Sequence, residues 1–460
     1  MSPARLLGIH GSDGVLSLSR KVVLKLQESS NHVVVGIDVA ADFSYAVILD
    51  PTGAKYDSGF KFTHDAESLG RLAGKIKEAE KLFSTPAKVI MESTGIYHMP
   101  LSCFLADKGF EVLILNPLIT HSSKNVDIRK VKTDKRDALK IAELGRDDEI
   151  KKSVPLTMEI LLLRSQCRQH VHLIDDRSQA KLRLSAALRQ ALPGYHTVFA
   201  NVTSVASLAL LSEFPTISAM REASAEQLAT FLAKQGRKGY AWGLRKAELL
   251  GKLLDSVDEY GGLTGLFDIS IPLLLQQIQL FSEQIKTSLA AIQATVDSTL
   301  SELHRSNIYL LKSLPAMGFL TAVTIYVEIA DFGAFKKPKQ LVAFFGIDPT
   351  VKQSGKFTAT NTSMSKRGSR YGRRALYALA LSSVNSKRAN DGRVPIHPVI
   401  HDYYVTKCLS KKKKVALGAV MHKLLNMIFA VLRDQTPFVP RTPEDHCRQY
   451  LNMKGLNAAS

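Results

Sequence analysis

HVVVGIDVAADFSYAVILDPTG, residues 32 to 53, is the stretch from which the fold is read. Its first run, 32–38, is β-branched and ends in Asp38, and its second, 44–49, is apolar again. The connection between them is short, so the two runs are expected to pair antiparallel, with Asp50-Pro-Thr-Gly53 as a turn and 55–62 as a third strand of a meander. Downstream, 65–82 has helical apolar spacing, 88–91 (KVIM) is a strand, 99–108 a helix, 111–115 (EVLIL) a strand and 134–144 a helix. Three strands followed by alternating helix and strand describe a mixed sheet with helices packed on it.

Four acids fall at telling places in this pattern. Asp38 ends the first strand, Glu92 ends the fourth, and Asp134 and Asp137, three apart, share one face of a helix. Strand ends carry their side chains to one edge of a sheet, and a helix packed there can add its own pair. Oxygen-only clusters suit Mg²⁺ or Mn²⁺, ions able to polarise a scissile phosphodiester. Singly, each acid is weak evidence: an Asp at a strand end is often a turn former, and 132–137 also reads as a solvated helix start capped by Thr133. Jointly, a strand-borne Asp, a strand-borne Glu and a helical Asp-x-x-Asp fit the RNase-H-like fold of many DNA-processing nucleases.

The middle third reads as helical. Ile271, Leu275, Ile278, Ser282, Ile285, Leu289, Ile292, Val296, Thr299 and Leu303 advance by alternating steps of four and three, the spacing of a coiled-coil seam. It implies self-association or an intramolecular helical hairpin, with Ile160, Leu163, Cys167, Val171 and Ile174 as a partner stripe. Residues 193–262 between them are expected to form a small helical insertion. Leu314-Pro-Ala-Met-Gly318 is a turn between two helices; it reads as an ordinary Pro/Gly connection or as a helix-hairpin-helix whose backbone N–H groups hold a phosphate.

Charge divides the chain more sharply than hydropathy does. The 460 residues carry 61 Lys+Arg against 42 Asp+Glu, yet residues 1–150 balance at 20 of each while residues 301–460 hold 25 basic against 9 acidic. Between 351 and 433, 17 Lys/Arg face only Asp391 and Asp402. A segment so one-signed is read as a polyanion-binding surface, with a merely solubilising face as the bland alternative, above all for Lys411, Lys412, Lys413 and Lys414. At 45% hydrophobic and 22% charged, the composition argues against a disordered, collagenous or membrane-embedded chain. The four cysteines are too far apart for a zinc knuckle or redox motif and are expected to be reduced thiols of a cytosolic protein. No signal peptide is seen in the first 30 residues, and the apolar stretch 415–432, broken by His422 and Lys423, is expected to be a buried helix.

VGIDVA (35–40), MESTGIYH (91–98), LNP (115–117) and KTDKRDA (132–138) resemble the RuvC-like DEDD domain of the IS110 family of insertion-sequence transposases. LPAMG (314–318), LVAFFGIDP (341–349), QSGK (353–356), MSKRGSRYGRRALY (364–377) and VALGAVMHKLLNMIFAVL (415–432) are similar, in order and spacing, to its C-terminal transposase domain. The resemblance implies a leader (1–30), a RuvC-like domain (31–150), a helical coiled-coil region with its insertion (151–310), a mostly helical transposase domain (311–435) and a tail (436–460). It implies an RNA-guided DNA recombinase whose noncoding bridge RNA pairs with donor and target DNA. The metal quartet would be Asp38, Glu92, Asp134 and Asp137, and the nucleophile Ser354, giving a covalent serine–DNA intermediate. Lys356, Lys366, Arg367, Arg370, Arg373 and Arg374 would clamp phosphates.

From the residues alone Ser363, Ser365 and Ser369 are as plausible as Ser354, and Tyr371 is a further phospho-linkage candidate. Compact family members lack much of the insertion and the leader. In the family the acids of one protomer are implied to complete a site with the serine of another, hence a dimer and, in the synaptic complex, a tetramer, acting in the prokaryotic cytosol or nucleoid. Three rivals follow from the same residues: a metal-dependent structure-specific nuclease of the Holliday-junction-resolvase type with no serine step, a non-catalytic nucleic-acid-binding protein, and, from Gly36-Ile-Asp38, a sugar kinase, for which no second phosphate-binding glycine loop is found.

Overall fold

The computed structural model describes residues 32–93, 97–115, 133–147, 150, 152–153, 155–260, 263–350, 353–354, 357–358, 363–389, 392–441, 444–445 and 447–448. The expected leader, most of the tail, residues 116–117 of LNP and Lys356 lie outside the described residues. The chain divides into two units, Met1–Leu161 with Ala330–Lys336, and Leu162–Ile329 with Lys337–Ser460.

The first unit is built on one sheet. Strands β1 (Val33–Val39), β2 (Phe43–Leu49) and β3 (Lys55–Thr63) form the expected antiparallel meander. Helix α1 (Ala66–Phe83), β4 (Ala87–Glu92), α2 (His98–Asp107), β5 (Glu111–Leu115), α3 (Asp134–Arg146) and the short β6 (Lys152–Ser153) follow. The strand order is β3-β2-β1-β4-β5-β6, with β4 parallel to both β1 and β5 and β6 antiparallel at the edge. Two polar residues make up β6, so no apolar pattern announces it.

Both faces of the sheet are covered, which is why β1 reads as one continuous apolar run. Val33, Val35, Ile37, Ala46, Ile48, Val89 and Met91 pack under α1 and α2. The alternate set, Val34, Val47, Leu49, Ile90 and Leu115, packs under α3 through Ala138, Ile141 and Ala142. On that second face α3 lies almost on the backbone of β1: a Cβ added to Gly36 would stand 2.2 Å from the Ala138 carbonyl oxygen and 2.4 Å from the Ala142 nitrogen. At its far end Arg146 donates to the Pro51 carbonyl at 3.2 Å, beside the turn where β2 ends and β1 begins, since Leu49 pairs with Val34. Helix α3 therefore runs opposite to β1 and starts where β1 finishes.

The second unit is helical. Helix α4 (Met158–Ala191) leads into α5 (Tyr195–Val198), α6 (Val205–Glu213), α7 (Ile217–Glu222), α8 (Ala225–Gly236) and α9 (Tyr240–Tyr260), and then α10 (Ser270–Ser298) returns. The expected insertion is helical, and it shares one core with both long helices: Leu184 and Leu188 of α4, Leu210, Leu232 and Leu250 between them, and Ile271 and Leu275 of α10. Helices α4 and α10 run antiparallel, joined by His170 Nδ1 to Ser288 Oγ at 2.7 Å and by Arg177 donating to Ser282 Oγ at 3.4 Å. Within the chain, α10 lies beside α4 at these contacts. Ile271, Leu275, Ile278, Ile292 and Val296 are buried along α10, but the seam does not reach Leu303. The helix ends at Ser298, Ser301 is extended, and Leu303 sits exposed on a new helix, α11 (Glu302–Lys312).

After α11 the Leu314 to Gly318 turn, closed by Met317 N–H on the Leu314 carbonyl at 3.1 Å, leads into the buried α12 (Phe319–Ile329). Helix α13 (Pro338–Phe344), strands β7 (Gln353–Ser354) and β8 (Phe357–Thr358), helix α14 (Arg370–Val384), strands β9 (Ser386–Ala389) and β10 (Gly392–Pro395), and helices α15 (Pro398–Cys408) and α16 (Lys413–Asp434) complete the unit. Helix α16 is long and apolar enough to cross a membrane, but Val420, Leu424, Leu425, Ile428 and Phe429 are buried inside the fold, as expected of a core helix.

Candidate active site

Register fixes where the two strand-borne acids point. Gly36 pairs with Ile90 and Ile37 with Met91 in the parallel ladder, so the next step along it sets Asp38 beside Glu92. Both stand two residues beyond positions on the α3 face, hence on that same face, at the carboxyl ends of adjacent parallel strands. Both are half-buried. Helix α3 opens at this edge with Thr133 as its cap, accepting from the Arg136 N–H, and carries Asp134 and Asp137 in its first turn, where the helix dipole favours negative charge. Asp134 is exposed, Asp137 half-buried. The structure thus brings all four predicted acids to one sheet edge. The donors are all oxygen, which suits a hard divalent cation, although among the described residues no three His, Cys, Asp or Glu side chains are grouped so that they could hold a metal ion. Mg²⁺ is commonly held by one or two carboxylates with substrate phosphates, so an open arrangement is compatible with it.

Ser354 lies in the other unit. Residues 346–350 and 363–366 run antiparallel: Lys366 N–H donates to Gly346 O at 2.9 Å, Ser365 N–H to Asp348 O at 2.8 Å and Thr350 N–H to Ser363 O at 2.8 Å. Beyond this ladder the backbone of Ser354 pairs with Phe357. The ladder's base is locked by glycine: a Cβ at Gly368 would stand 1.9 Å from Phe344 O, and Gly346 has φ of +64°. Among the serines that compete with Ser354, two have structural tasks. Ser365 Oγ donates to Asp348 at 2.6 Å, and Ser369 caps α14 by accepting from the Gly372 N–H.

The basic residues differ in what they do. Arg373 ties the chain together, one Nη donating to the carbonyls of Phe345 at 3.1 Å and Gly368 at 2.8 Å. Arg374 pairs with Asp175 at 2.6 Å, and Arg370 donates to the Tyr371 hydroxyl at 2.9 Å. Lys366 and Arg367 are exposed. Lys411 to Lys414 are exposed at the start of α16, where the helix dipole is itself positive, an arrangement unfavourable for the fold and favourable for an anion.

A buried charge network under α14 was not anticipated. Arg168 forms a bidentate pair with Glu328 at 2.8 and 2.9 Å, and Arg164 donates to the Val327 carbonyl at 2.8 Å. Burial alone would raise the Glu328 carboxyl, but bonds from Arg168 and Ser369 and the two arginine charges outweigh it and hold it below the ordinary value. Burial lowers Arg164, and it pushes the nearby Cys167 thiol up to about 12. The Arg168 and Arg370 guanidiniums lie 5.0 and 4.8 Å from the Tyr371 ring centre, and His172 Nε2 lies 2.6 Å from its hydroxyl. The signals were present: Arg164, Arg168, His172 and Asp175 recur at helical spacing, and Glu328 is the single acid in the apolar FLTAVTIYVEI.

Comparison with known proteins covers both regions. One family model, described as a transposase of the DEDD IS110 type, matches residues 35–193, and another, described as the transposase IS116/IS110/IS902 family, matches residues 308–394. The insertion element IS110 uncharacterized 43.6 kDa protein of Streptomyces coelicolor is 25% identical over 422 residues, covering 89% of this chain and 96% of the relative. The pilin gene-inverting protein of Moraxella bovis is 24% identical over 412 residues, 89% of this chain and 98% of the relative. The insertion element IS900 uncharacterized 42 kDa protein of Mycobacterium paratuberculosis is 25% identical over 324 residues, 68% and 74% respectively.

Proposed function

Since the chain belongs to the IS110 family of transposases, enzymes that cut and rejoin DNA strands, we propose that it does so through Ser354 under the guidance of a bridge RNA. The observation that carries the reading is the placement of Asp38 beside Glu92 on adjacent parallel strands, with Asp134 and Asp137 opening the helix on the same edge. A β3-β2-β1-β4-β5 order, with an antiparallel meander followed by parallel strands, supports an RNase-H-like domain of the RuvC type.

Asp38, Glu92, Asp134 and Asp137 would hold Mg²⁺, or Mn²⁺, which when bound supplies charge to polarise the scissile phosphodiester. The Ser354 oxygen attacks phosphorus, losing its proton to solvent or a base; the bond to the leaving sugar oxygen breaks and that oxygen is protonated. The serine ester so formed conserves the phosphodiester for rejoining. Donor and target DNA and the bridge RNA are the partners, and the exposed Lys366, Arg367 and Lys411 to Lys414, with Lys356, meet their phosphates. The acids and the serine would come together between protomers of a dimer or tetramer in the cytosol.

The test uses the full chain with its copurifying RNA and end-labelled DNA bearing the flanks of its own gene. Wild type and Asp38→Asn separate metal-assisted cleavage from binding, and Ser354→Ala is expected to lose the protein-linked DNA while keeping RNA. Free 3′-OH and 5′-phosphate ends from both wild type and Ser354→Ala would instead establish a metal-dependent nuclease.

A further inference from the structure

Strands β9 and β10 form a ribbon that no third strand joins among the described residues. Its register sets Arg388 opposite Arg393, Lys387 opposite Val394 and Ser386 opposite Pro395. Directly opposed residues of an antiparallel pair share a face with Cβ atoms about 5 Å apart, so the two arginines stand side by side, an arrangement that destabilises a hairpin. No described carboxylate pairs with either arginine or with Lys387. Lys387, Arg388, Gly392, Arg393 and Val394 are exposed, whereas the base of the ribbon is held: Ser386 and Pro395 are half-buried, Ile396 N–H donates to the Asn385 carbonyl at 3.0 Å, and His397 is fully buried.

A two-stranded hairpin is marginal in water even without opposed like charges. One anchored at its base and carrying exposed Lys387, Arg388 and Arg393 along its strands is suited to a polyanion, and in residues 351–433 17 Lys/Arg face two acids, one of them Asp391 between the two strands. Shape then separates the candidates. The B-form major groove, about 12 Å wide, admits a two-stranded β-ribbon. The A-form RNA major groove is too deep and narrow for side chains to read. We propose that the β9–β10 ribbon enters the major groove of duplex DNA, its Arg388–Arg393 face toward the DNA. This rests on the DNA-acting function proposed above and adds the element and the groove.

The experiment is a salt titration of the full chain on a DNA duplex and on an RNA duplex of the same sequence, with a thermal melt of each variant. Arg388→Ala/Arg393→Ala is expected to lower the log–log salt slope for DNA by roughly 2 and the affinity roughly 30-fold at 0.15 M salt. Its melting temperature should stay level or rise, because the like-charge pair is gone, and RNA duplex binding should hold. Arg388→Lys/Arg393→Lys should keep the slope. An unchanged DNA slope in the alanine variant, an equal loss on RNA, or a loss of DNA binding that accompanies a lower melting temperature would each overturn the ribbon's role. Failure of the wild-type chain to bind DNA at all would instead bring down the reading on which it rests.

Discussion

The Tyr371 hydroxyl lies 2.6 Å from His172 Nε2, two residues 199 apart in sequence, and Arg370 donates to the same oxygen at 2.9 Å. A phenol between an imidazole and a guanidinium is polarised in the way an attacking hydroxyl would be. It also anchors the start of α14 to α4. On the serine reading the second role is the operative one. Tyr371→Phe is therefore expected to retain the protein–DNA adduct on a denaturing gel, with stability lower by about 1 kcal/mol for the lost hydrogen bonds. Loss of the adduct in Tyr371→Phe with its retention in Ser354→Ala would transfer the nucleophile to the tyrosine.

The Gly36 contact makes the acidic edge depend on one missing methyl group. In Gly36→Ala the Cβ would press on Ala138, the neighbour of Asp137, and on Ala142 one turn further along the helix. Overpacking of this kind costs about 1–3 kcal/mol or more, and relief by sliding α3 off β1 would separate Asp134 and Asp137 from Asp38. Both the melting temperature and DNA cleavage should fall. Gly74 on α1 is the control, since a Cβ there meets nothing within 4 Å. Gly74→Ala should raise stability by roughly 0.5–1 kcal/mol, as expected inside a helix, and leave cleavage unchanged.

Glu328 offers a test of the network under α14. Replacing it by Gln leaves Arg168 and Arg164 facing each other in a largely buried setting without their counter-charge. Removing one partner of such a pair costs about 3–5 kcal/mol. A denaturant midpoint for Glu328→Gln within error of wild type would show that the guanidiniums are better solvated than the geometry indicates.

What the sequence made legible follows from how far each signal reaches. Alternation and turn residues around Asp38 are local, and they placed the meander, Glu92 and the Thr133-capped helix within a residue or two of where they lie. Two-residue strands such as β6 carry no period and were missed. The heptad reading of 271–303 overran its helix because the apolar spacing continues past Ser298, where the helix ends, across Ser301, whose φ of −58° and ψ of 155° leave helical geometry before a new helix starts at Glu302. Glu328 and His172 were passed over because their meaning comes from partners about 160 and 199 residues away. The β9–β10 ribbon was seen only as part of a net charge, since the opposition of Arg388 and Arg393 is a matter of register. Ser354 was singled out by resemblance, and its hairpin gives it a backbone partner in Phe357.

His397 couples stability to pH. It is fully buried, neither ring nitrogen has a hydrogen-bond partner among the described residues, its ring packs on Phe438 at 5.5 Å, and Lys423 contributes positive charge nearby. Burial first, and Lys423 second, lower its pKa from 6.5 to about 4. The fold thus favours neutral imidazole, whereas the unfolded chain takes up a proton below its own pKa of 6.5. Its stabilisation is complete above that value and is lost as pH falls toward 4, the whole amounting to the order of 3 kcal/mol. Denaturant midpoints measured from pH 8 down to pH 5 should decline in wild type. In His397→Phe, which keeps a ring against Phe438, the decline should be shallower; parallel curves for the two proteins would mean that acid sensitivity arises elsewhere.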